Sequence, residues 1–316
     1  MYTIGIDLGG TNIAVGVVNE KYEIVARASR KTRTERSTDE ILADMVGAAQ
    51  DAVANAGLTM DQIDWVGVGS PGTINLDTGY IEYANNLHFE HVPLKAYMEE
   101  KLGRPCYINN DANVAAYGEY LAGSGKNAEP FVAVTLGTGV GGGVIIDGKI
   151  FSGCNFAGGE LGHTVIVANG EPCSCGRLGC WEAYASATAL IRQTKAAMNA
   201  NPDSVMWKLC DGDENKASGR TAFDAMRAGD AAGKQVVDTY IAYIGEGLCN
   251  MVNIFQPEVL CIGGGICNEG ETLMAPLRKQ IEEIRYSKFS EKQTQLCRAE
   301  LGNDAGIIGA AMLGKL

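Results

Sequence analysis

The sequence predicts an α/β fold built from two related halves. Strand-like runs near the N-terminus lead into an amphipathic helical segment, which is typical of a mixed α/β chain. The stretch IGIDLGGTNIAVGVVN at 4–19 is echoed by VAVTLGTGVGGGVIIDG at 132–148, and a third glycine cluster follows another apolar run. Because unrelated glycine-containing hairpins share this pattern, duplication is an interpretation at this point. A duplicated α/β core predicts two domains with a ligand between them.

Composition limits the classes of function. The chain has 316 residues, of which 46% are hydrophobic and 20% charged, so it is long enough for two domains with substantial cores. The formal net charge is −12. A surface this negative repels polyanions, which argues against nucleic acid and anionic membrane as partners.

Several features together predict a cytoplasmic protein. The first residues, MYTIGIDLGG, form a strand-like run without the basic segment of a signal peptide. No apolar run reaches the ~18 residues that a membrane span needs. Clustered cysteines in such a chain indicate metal binding, and the scattered cysteines are expected to be buried thiols.

The first elements are a meander of strands and one helix. Strand-like runs at 3–8, 13–18 and 22–29 are separated by turn-forming residues, which predicts antiparallel hairpins. After them, Ser37 and Glu40 have the spacing of a capping box and predict the start of a helix. The residues expected on its apolar face are Ile41, Met45, Ala49 and Val53.

The later elements are mainly helical. A buried strand is predicted at 63–69, helices at 182–199 and 230–255, a strand at 259–262, and a final helix at 303–316. No low-complexity linker separates the halves. The two domains are therefore expected to pack across a cleft.

Glycine clusters after strands predict a phosphate site. Glycine lets the backbone approach an anion and direct N–H groups at it, and threonine hydroxyls add donors. Asp7, directly before the first cluster, is a candidate for holding Mg²⁺ through water. A single cluster of this kind is more often a structural turn. The clusters are Gly9-Gly10-Thr11, Gly137-Thr138-Gly139 with Gly141-Gly142-Gly143, and Gly263-Gly264-Gly265.

Two familiar nucleotide motifs are excluded. The run GTGVGG at 137–142 matches the dinucleotide fingerprint G-x-G-x-x-G, but that fingerprint opens a helix. Here VIIDGKIFSG at 144–153 predicts a second strand instead. No Gly-Lys-Ser/Thr follows any cluster, so a Walker-type loop is excluded as well.

A histidine and three cysteines have the spacing of a zinc site. The four are His163, Cys173, Cys175 and Cys180. One imidazole and three thiolates suit tetrahedral Zn²⁺, and four protein ligands leave no open position, so the predicted role is structural. The alternative is free thiols beside an unrelated histidine. Glu160 and Glu182 flank the cluster, and a loop fixed by metal would hold both carboxylates ready to accept hydrogen bonds from sugar hydroxyls.

Asp111 is the candidate general base. It follows a short apolar strand in NNDANVAAYGEYLAG at 109–123 and is expected at the N-terminus of a helix. There the helix dipole favours the ionised carboxylate. Such a group can accept a proton from a hydroxyl that attacks phosphorus, although Asp and Asn are also common helix caps. The two roles are compatible.

With these motifs in place, the chain resembles the ROK family of repressors and sugar kinases, and most closely its bacterial glucokinases. The resemblance covers nearly the whole chain, and the histidine–cysteine signature is its most specific part. The motifs are IGIDLGGTN at 4–12, GSPG at 69–72, ANNL at 84–87, NNDANVAAYGE at 109–119, LGTGVGGG at 136–143, GGELGHT at 158–164, CSCGRLGCWE at 173–182, IGGG at 262–265 and LGNDAGIIGAA at 301–311.

The resemblance implies a duplicated actin-like ATPase fold, which is ribonuclease H-like, with two lobes around a cleft. A smaller α/β lobe would comprise 1–115 and the C-terminal helix 303–316. A larger α/β lobe would comprise 116–302 and carry the zinc knuckle and most of the nucleotide site.

The resemblance also implies roles for individual residues. Asp111 is the catalytic base, and His163 has one ring nitrogen on zinc and the other facing the sugar. Asn86 is preferred over Asn85 as a sugar contact. The implied sugar contacts are Gly72, Asn86, Asn110, Asp111, Glu160, His163 and Glu182. The implied ATP contacts are Gly9, Gly10, Thr11, Asn12, Gly137, Thr138 and Gly139 at the phosphates and Gly263, Gly264 and Gly265 near the adenosine.

The activity implied is phosphorylation of the 6-hydroxyl of glucose by ATP and Mg²⁺, as part of carbohydrate metabolism such as glycolysis. The alternatives are a ROK kinase for N-acetylmannosamine, N-acetylglucosamine or fructose, and a sugar-responsive regulator. The regulator is disfavoured because the first strand begins at Thr3, which leaves no room for a helix-turn-helix before it. A homodimer or homotetramer is expected.

Overall fold

The computed structural model describes residues 1–126 and 128–316. Its strands are β1 (Tyr2–Leu8), β2 (Asn12–Asn19), β3 (Ile24–Lys31), β4 (Val66–Ser70), β5 (Thr73–Asn75), β6 (Tyr80–Ala84), β7 (Phe89–Val92), β8 (Cys106–Asn110), β9 (Phe131–Leu136), β10 (Val140–Ile146), β11 (Lys149–Ile150), β12 (Val259–Gly263) and β13 (Gln295–Arg298). Its helices are α1 (Thr38–Asn55), α2 (Leu94–Leu102), α3 (Asp111–Ala122), α4 (Glu182–Ala185), α5 (Ala187–Ala200), α6 (Val205–Leu209), α7 (Thr221–Arg227), α8 (Ala231–Phe255), α9 (Glu271–Ile284) and α10 (Asp304–Ala311).

Two five-stranded sheets repeat one strand order. The first has the order β3-β2-β1-β4-β8 and the second β11-β10-β9-β12-β13, and a three-stranded sheet has the order β5-β6-β7. When the strands of each five-stranded sheet are numbered along the chain, their order across the sheet is third, second, first, fourth and fifth. The outer pairs also correspond, since β2–β3 and β10–β11 are antiparallel, while β4–β8 and β12–β13 are parallel. This repeated topology agrees with the duplication that the glycine-containing hairpins predict.

Helix α1 forms as its sequence predicts. The Ser37 hydroxyl accepts from the Glu40 backbone N–H at 3.4 Å, and the Glu40 carboxylate accepts from the Ser37 backbone N–H at 3.1 Å. This reciprocal capping satisfies two donors that a helix start leaves unpaired. The buried residues of the helix include all four expected on its apolar face: Ile41, Met45, Ala49 and Val53.

Helix α10 packs closely against α3 and β1. A Cβ on Gly118 of α3 would collide with the carbonyl oxygen of Ala305, and one on Gly309 of α10 with the carbonyl oxygen of Val114. Glycine at both positions lets the two backbones touch. The final helix, expected over 303–316, is helical over Asp304–Ala311 and ends in a 3₁₀ turn at Leu313–Lys315.

Contacts divide the chain into two compact units. Helix α3 falls in the first unit together with α10, on which it packs. The first unit comprises 1–133, 142–159 and 299–316, and the second comprises 134–141 and 160–298. Among the residues described, none of the helices combines the length and apolar character needed to cross a membrane.

The single helix predicted over 182–199 is interrupted. Ser186 adopts an extended backbone, with φ −75° and ψ 163°, so α4 ends there and α5 begins. The Ser186 hydroxyl accepts from the Ala189 backbone N–H at 3.1 Å and caps the new helix. The interruption follows from this side-chain cap, which competes with continued helix.

Candidate active site

In the first unit, two carboxylates lie at the same edge of a sheet. Strands β1, β4 and β8 are parallel neighbours, with Asp7 paired to Gly69 and Gly69 paired to Asn109. Strands two positions apart lie about 10 Å from each other. Asp7 near the end of β1 and Asp111 just beyond β8 therefore occupy one edge, where the carboxyl ends of these strands meet.

Burial shifts the acidity of both groups. Burial, with a smaller contribution from the charge of Asp111, raises the pKa of Asp7 to about 6. Burial also raises the pKa of Asp111, although the backbone N–H of Ala112 and the Asn110 side chain favour its charged form. The helix-dipole argument expected a stabilised carboxylate and a weak base. Desolvation outweighs that effect, so Asp111 is a stronger base than the sequence predicts.

Asn110 caps helix α3 and also joins it to Gly72. Its side-chain oxygen accepts from the backbone N–H groups of Ala112 at 3.0 Å and Asn113 at 3.3 Å. Its amide nitrogen donates to the Gly72 carbonyl oxygen at 3.3 Å. Capping thus belongs mainly to Asn110, and Asp111 is the first residue of the helix. Two of the predicted sugar contacts, Gly72 and Asn110, are therefore hydrogen-bonded to each other.

Sequence reasoning missed the support beneath this segment. The Asn109 side-chain oxygen accepts from the backbone N–H of Asn110 at 2.8 Å and from the side chain of Asn113 at 3.3 Å. Asn109 and Asn113 are both buried. The only sequence signal was the polar run NNDAN, in which the roles of the three asparagines differ only through their contacts.

The first glycine turn is held by a buried threonine that the sequence did not single out. The Thr32 hydroxyl donates to the Gly9 carbonyl oxygen at 2.6 Å, and its backbone N–H donates to the Thr11 carbonyl oxygen at 3.0 Å. Thr32 has 0% exposure. Lys31 donates to the Asn12 side-chain oxygen at 2.8 Å. The turn that should meet phosphate is therefore fixed by the end of β3.

The structure distinguishes the two asparagines of ANNL. The Asn86 side-chain nitrogen lies 3.7 Å from the position that a Cβ on Gly10 would take, next to the glycine turn. The Asn85 side-chain oxygen instead accepts from the Tyr83 hydroxyl at 3.1 Å. This arrangement favours Asn86 as the residue available to a ligand of the first unit.

In the second unit, the histidine and three cysteines form one cluster. The ligand atoms of His163, Cys173, Cys175 and Cys180 all lie within 4.8 Å of one another. The Cys173 Sγ lies 3.5 Å from the His163 Nδ1, and the Cys175 Sγ lies 3.6 Å from the Cys180 Sγ. Tetrahedral zinc with bonds of about 2.0 Å to nitrogen and 2.3 Å to sulfur separates its ligands by roughly 3.5 to 3.8 Å. The four residues therefore fit a zinc ion held through Nδ1 of His163.

The sequence predicts that the seven cysteines outside the cluster are buried, but two of them are not. Cys154 is exposed and Cys297 is intermediate in exposure. Cys154 lies in the irregular segment between β11 and the turn that ends in His163. The buried ones are Cys106, Cys210, Cys249, Cys261 and Cys267.

Glu182 connects the metal cluster with the second glycine turn. Its Oε2 accepts from the Val140 backbone N–H at 3.0 Å, and its Oε1 accepts from the Ser174 hydroxyl at 3.3 Å. A Cβ on Gly139 would meet Oε2 of this carboxylate, so a larger residue there would have to displace the Glu182 side chain. Glu160 is exposed and directly precedes the 3₁₀ turn Leu161–His163, which carries the histidine of the cluster.

The other two glycine clusters follow strands of the second sheet. Within the 137–139 turn, the Gly137 carbonyl oxygen accepts from the Ala187 backbone N–H at 2.8 Å. The Thr138 carbonyl oxygen accepts from the Thr188 hydroxyl at 2.8 Å. Gly263 ends β12, and Gly264, with φ +103°, lies against the Leu136 carbonyl oxygen at the end of β9. The two clusters therefore follow adjacent strands.

The predicted site residues form two groups, one in each unit. The first unit contains Asp7, Gly9, Gly10, Thr11, Asn12, Gly72, Asn86, Asn110 and Asp111. The second contains Gly137, Thr138, Gly139, Glu160, His163, Cys173, Cys175, Cys180, Glu182, Gly263, Gly264 and Gly265. Ser174, Val140 and Thr32 were not predicted. Ser174 and Val140 stand inside recognised motifs, Ser174 as the middle residue of Cys-Ser-Cys and Val140 within LGTGVGGG, whereas Thr32 stands in none.

Comparison with models of known protein families identifies the family of this chain. The model of the ROK family matches residues 3–316. The chain belongs to the ROK family. This match covers nearly the whole chain, as the resemblance in the motifs predicts.

ROK relatives of known name match over their full length. The glucokinase of Thermotoga maritima is 35% identical over 316 residues, which cover 99% of this chain and 96% of the relative. A ROK family glucokinase from Streptomyces griseus, solved in complex with glucose and AMPPNP, is 35% identical with a TM-score of 0.79 over 99% of each chain. A ROK hexokinase from Thermus thermophilus is 32% identical with a TM-score of 0.81, over 99% of this chain and 97% of that one. These structures have the actin-like ATPase fold, so the predicted fold class is confirmed.

Proposed function

We propose that this ROK protein is a glucokinase, which transfers the γ-phosphoryl group of ATP to the 6-hydroxyl of glucose. Full-length relatives at 35% identity carry the name glucokinase, and one was solved with glucose and an ATP analogue. The observation that carries the chemistry is the half-buried carboxylate of Asp111, which begins α3 at the same sheet edge as Asp7.

Asp111 acts as the general base of this transfer. The 6-hydroxyl oxygen forms a bond to the γ-phosphorus, the bond from that phosphorus to the β–γ bridging oxygen breaks, and ADP leaves. The hydroxyl proton passes to the Asp111 carboxylate. Burial raises the pKa of Asp111, so the carboxylate holds this proton better than an exposed aspartate would.

The residues of the first unit position both substrates. Gly72, Asn86 and Asn110 contact the sugar, and Gly9 to Asn12 direct backbone N–H groups at phosphate. Asp7 would hold Mg²⁺ through water, and the cation would offset the charge on the phosphates. The raised pKa of Asp7 fits this assignment because a half-buried carboxylate near the charge of Asp111 gains from a neighbouring cation.

The second unit supplies the remaining contacts. Glu160, Glu182 and the Nε2 of His163 accept or donate hydrogen bonds at sugar hydroxyls, while Nδ1 of His163 faces the thiols. Residues 137–139 contact the phosphates and 263–265 the adenosine. A zinc ion with four protein ligands has no open position, so it would fix the loop and take no part in the reaction.

The setting of the enzyme belongs to the same proposal. We expect a homodimer or homotetramer that works in the cytoplasm within carbohydrate metabolism such as glycolysis. Ten cysteines without a disulfide in the described residues, three of them placed to bind metal as thiolates, suit a reducing compartment.

A sugar panel tests the proposal. The purified protein is assayed with ATP and Mg²⁺ against glucose, fructose, N-acetylmannosamine and N-acetylglucosamine, with ADP formation measured by a coupled reaction. We expect the highest kcat/KM for glucose. A higher value for another hexose would move the assignment to a different sugar kinase, and sugar-independent ADP formation would remove it.

A further inference from the structure

The Glu182 carboxylate is held on both sides by parts of the second unit with different roles. Its Oε2 accepts from the backbone N–H of Val140, at the end of the 137–139 turn, at 3.0 Å. Its Oε1 accepts from the hydroxyl of Ser174 at 3.3 Å. The side chain thus bridges the second glycine turn and the metal cluster.

The backbone beneath Glu182 is rigidly placed. Cys180, two residues before it, is one of the metal-binding thiols and is 0% exposed. The indole N–H of Trp181, also 0% exposed, donates to the Tyr243 carbonyl oxygen at 2.9 Å. With its main chain fixed, the remaining freedom of Glu182 is in its side chain, and that freedom is what Ser174 and Val140 restrict.

Ser174 lies between two metal-binding residues. Cys173 and Cys175 flank it in sequence, and their thiols belong to one cluster with His163. The Cys173 backbone N–H donates to the Arg177 carbonyl oxygen at 2.9 Å, which closes the loop around Ser174. The position of the Ser174 hydroxyl therefore depends on the geometry of the cluster.

We propose that Ser174 is a positioning residue, which orients the Glu182 carboxylate and so transmits the state of the metal cluster to the glycine turn at 137–140. Loss of the hydroxyl leaves Oε1 with only the Cys173 Sγ at 3.9 Å, and the carboxylate then samples orientations in which Oε2 no longer meets the Val140 N–H. The turn loosens, and the sugar-binding geometry of Glu182 is lost with it. The kinetic part of this inference rests on the proposed function, whereas the coupling to Val140 does not.

Amide hydrogen exchange tests the coupling without any substrate. The exchange rate of the Val140 amide is measured by NMR in the metal-loaded wild type, Ser174→Ala, Ser174→Thr and Ser290→Ala, with zinc per chain determined in parallel. Ser290 is an exposed serine of the same unit and serves as the matched control. We expect about a tenfold faster exchange in Ser174→Ala. Losing a hydrogen bond to a charged group changes the equilibrium between the held and the released carboxylate by about tenfold, and the Val140 amide exchanges from the released state.

The controls give that result its meaning. Ser174→Thr keeps the hydroxyl and should restore slow exchange, and Ser290→Ala should match the wild type. All four proteins should retain the same zinc content. Unchanged Val140 exchange in fully loaded Ser174→Ala would overturn the proposal, as would faster exchange that Ser174→Thr fails to restore. Loss of zinc in Ser174→Ala would mean that Ser174 acts on the cluster and not on Glu182.

Kinetics separate positioning from catalysis. In Ser174→Ala we expect the KM for glucose to rise about threefold to tenfold, with kcat within about twofold of the wild type. If kcat falls and KM does not change, Ser174 is not a positioning residue for the sugar. A wild type that fails to phosphorylate glucose overturns the proposed function instead, and the exchange result then decides the coupling by itself.

Discussion

Asp7 and Asp111 lie at the edge where β1, β4 and β8 end, and burial together with the charge of Asp111 raises the pKa of Asp7 to about 6. Two half-buried carboxylates at one sheet edge are unfavourable for the folded state at neutral pH, because burial raises the pKa of both. Raised carboxylate pKa values of this kind are typical of a site that binds a cation and transfers a proton.

Replacing Asp111 with Asn should nearly abolish turnover. The variant keeps the shape of the side chain but cannot accept the hydroxyl proton, so kcat should fall about 10²- to 10⁴-fold. Binding of glucose and ATP, measured by calorimetry, should stay within a few fold. Asp39→Asn, an exposed acidic residue in the first turn of α1, is the matched control and should keep full activity. A loss below tenfold in Asp111→Asn would contradict the role of base.

Replacing Asp7 with Asn should stabilise the protein at neutral pH while lowering its activity. The folded-state pKa of about 6 exceeds the ordinary value of 3.8, so the folded state binds this proton more tightly than the unfolded state does. The stabilisation that this gives is present below pH 4 and is lost as the pH rises to 6. Above pH 6 the ionised Asp7 costs about 3 kcal/mol in the free energy of unfolding, which the variant regains.

Urea unfolding of the wild type and Asp7→Asn, without nucleotide or Mg²⁺, checks this sign. The difference in unfolding free energy should be largest at pH 7 to 8 and should vanish near pH 4. Saturating Mg²⁺ and ATP should reduce this difference in unfolding free energy, because only the wild type has the Asp7 carboxylate to stabilise the bound cation. A variant less stable than the wild type at pH 8 would contradict the shifted pKa.

Much of the local structure was predictable because its signals are short in range. The capping box of Ser37 and Glu40 and the start of α3 at Asp111 depend on residues within one helical turn. The grouping of His163 with three cysteines was predictable for a similar reason, since the three cysteines lie within one short loop. In each case the side chain and its partner are close in sequence, so the spacing alone carries the geometry.

The remainder depends on contacts between distant residues. Thr32 reaches the Gly9 turn only because β2 and β3 pair, and Glu182 reaches Val140 only after the second unit has folded. The assignment of α3 to the first unit likewise depends on Gly118 and Gly309. These two residues are far apart in the sequence, but they let the backbones of α3 and α10 come into contact. No propensity or spacing rule reports such pairings. They had to be seen in the structure.

Replacing Cys175 with Ser should release the metal and loosen the second unit. Zinc bound by four protein ligands contributes directly to folding, so the variant should lose its zinc and show a lower Tm. Because Ser174 depends on the cluster, the KM for glucose should rise as well. Cys154→Ser, an exposed cysteine outside the cluster, is the control and should keep both zinc and Tm. Full zinc content in Cys175→Ser, by mass spectrometry of the native protein, would contradict the ligand set.

Replacing Thr32 with Val should weaken ATP binding through the first glycine turn. Thr32 is fully buried and donates its hydroxyl hydrogen to the Gly9 carbonyl oxygen, so Val keeps the volume and removes only that bond. Thr194→Val is a matched control, since Thr194 is also fully buried and donates to a carbonyl oxygen, that of Leu190. Both variants should lose about 1 to 2 kcal/mol of unfolding free energy.

Only Thr32→Val should change nucleotide kinetics. We expect its KM for ATP to rise about threefold to tenfold, because a loosened turn presents its backbone N–H groups to phosphate less often. The KM for glucose should change less than that for ATP. Steady-state kinetics with each substrate varied in turn make this comparison. If both variants shift the KM for ATP equally, the effect is one of general stability, and Thr32 does not hold a phosphate-binding turn.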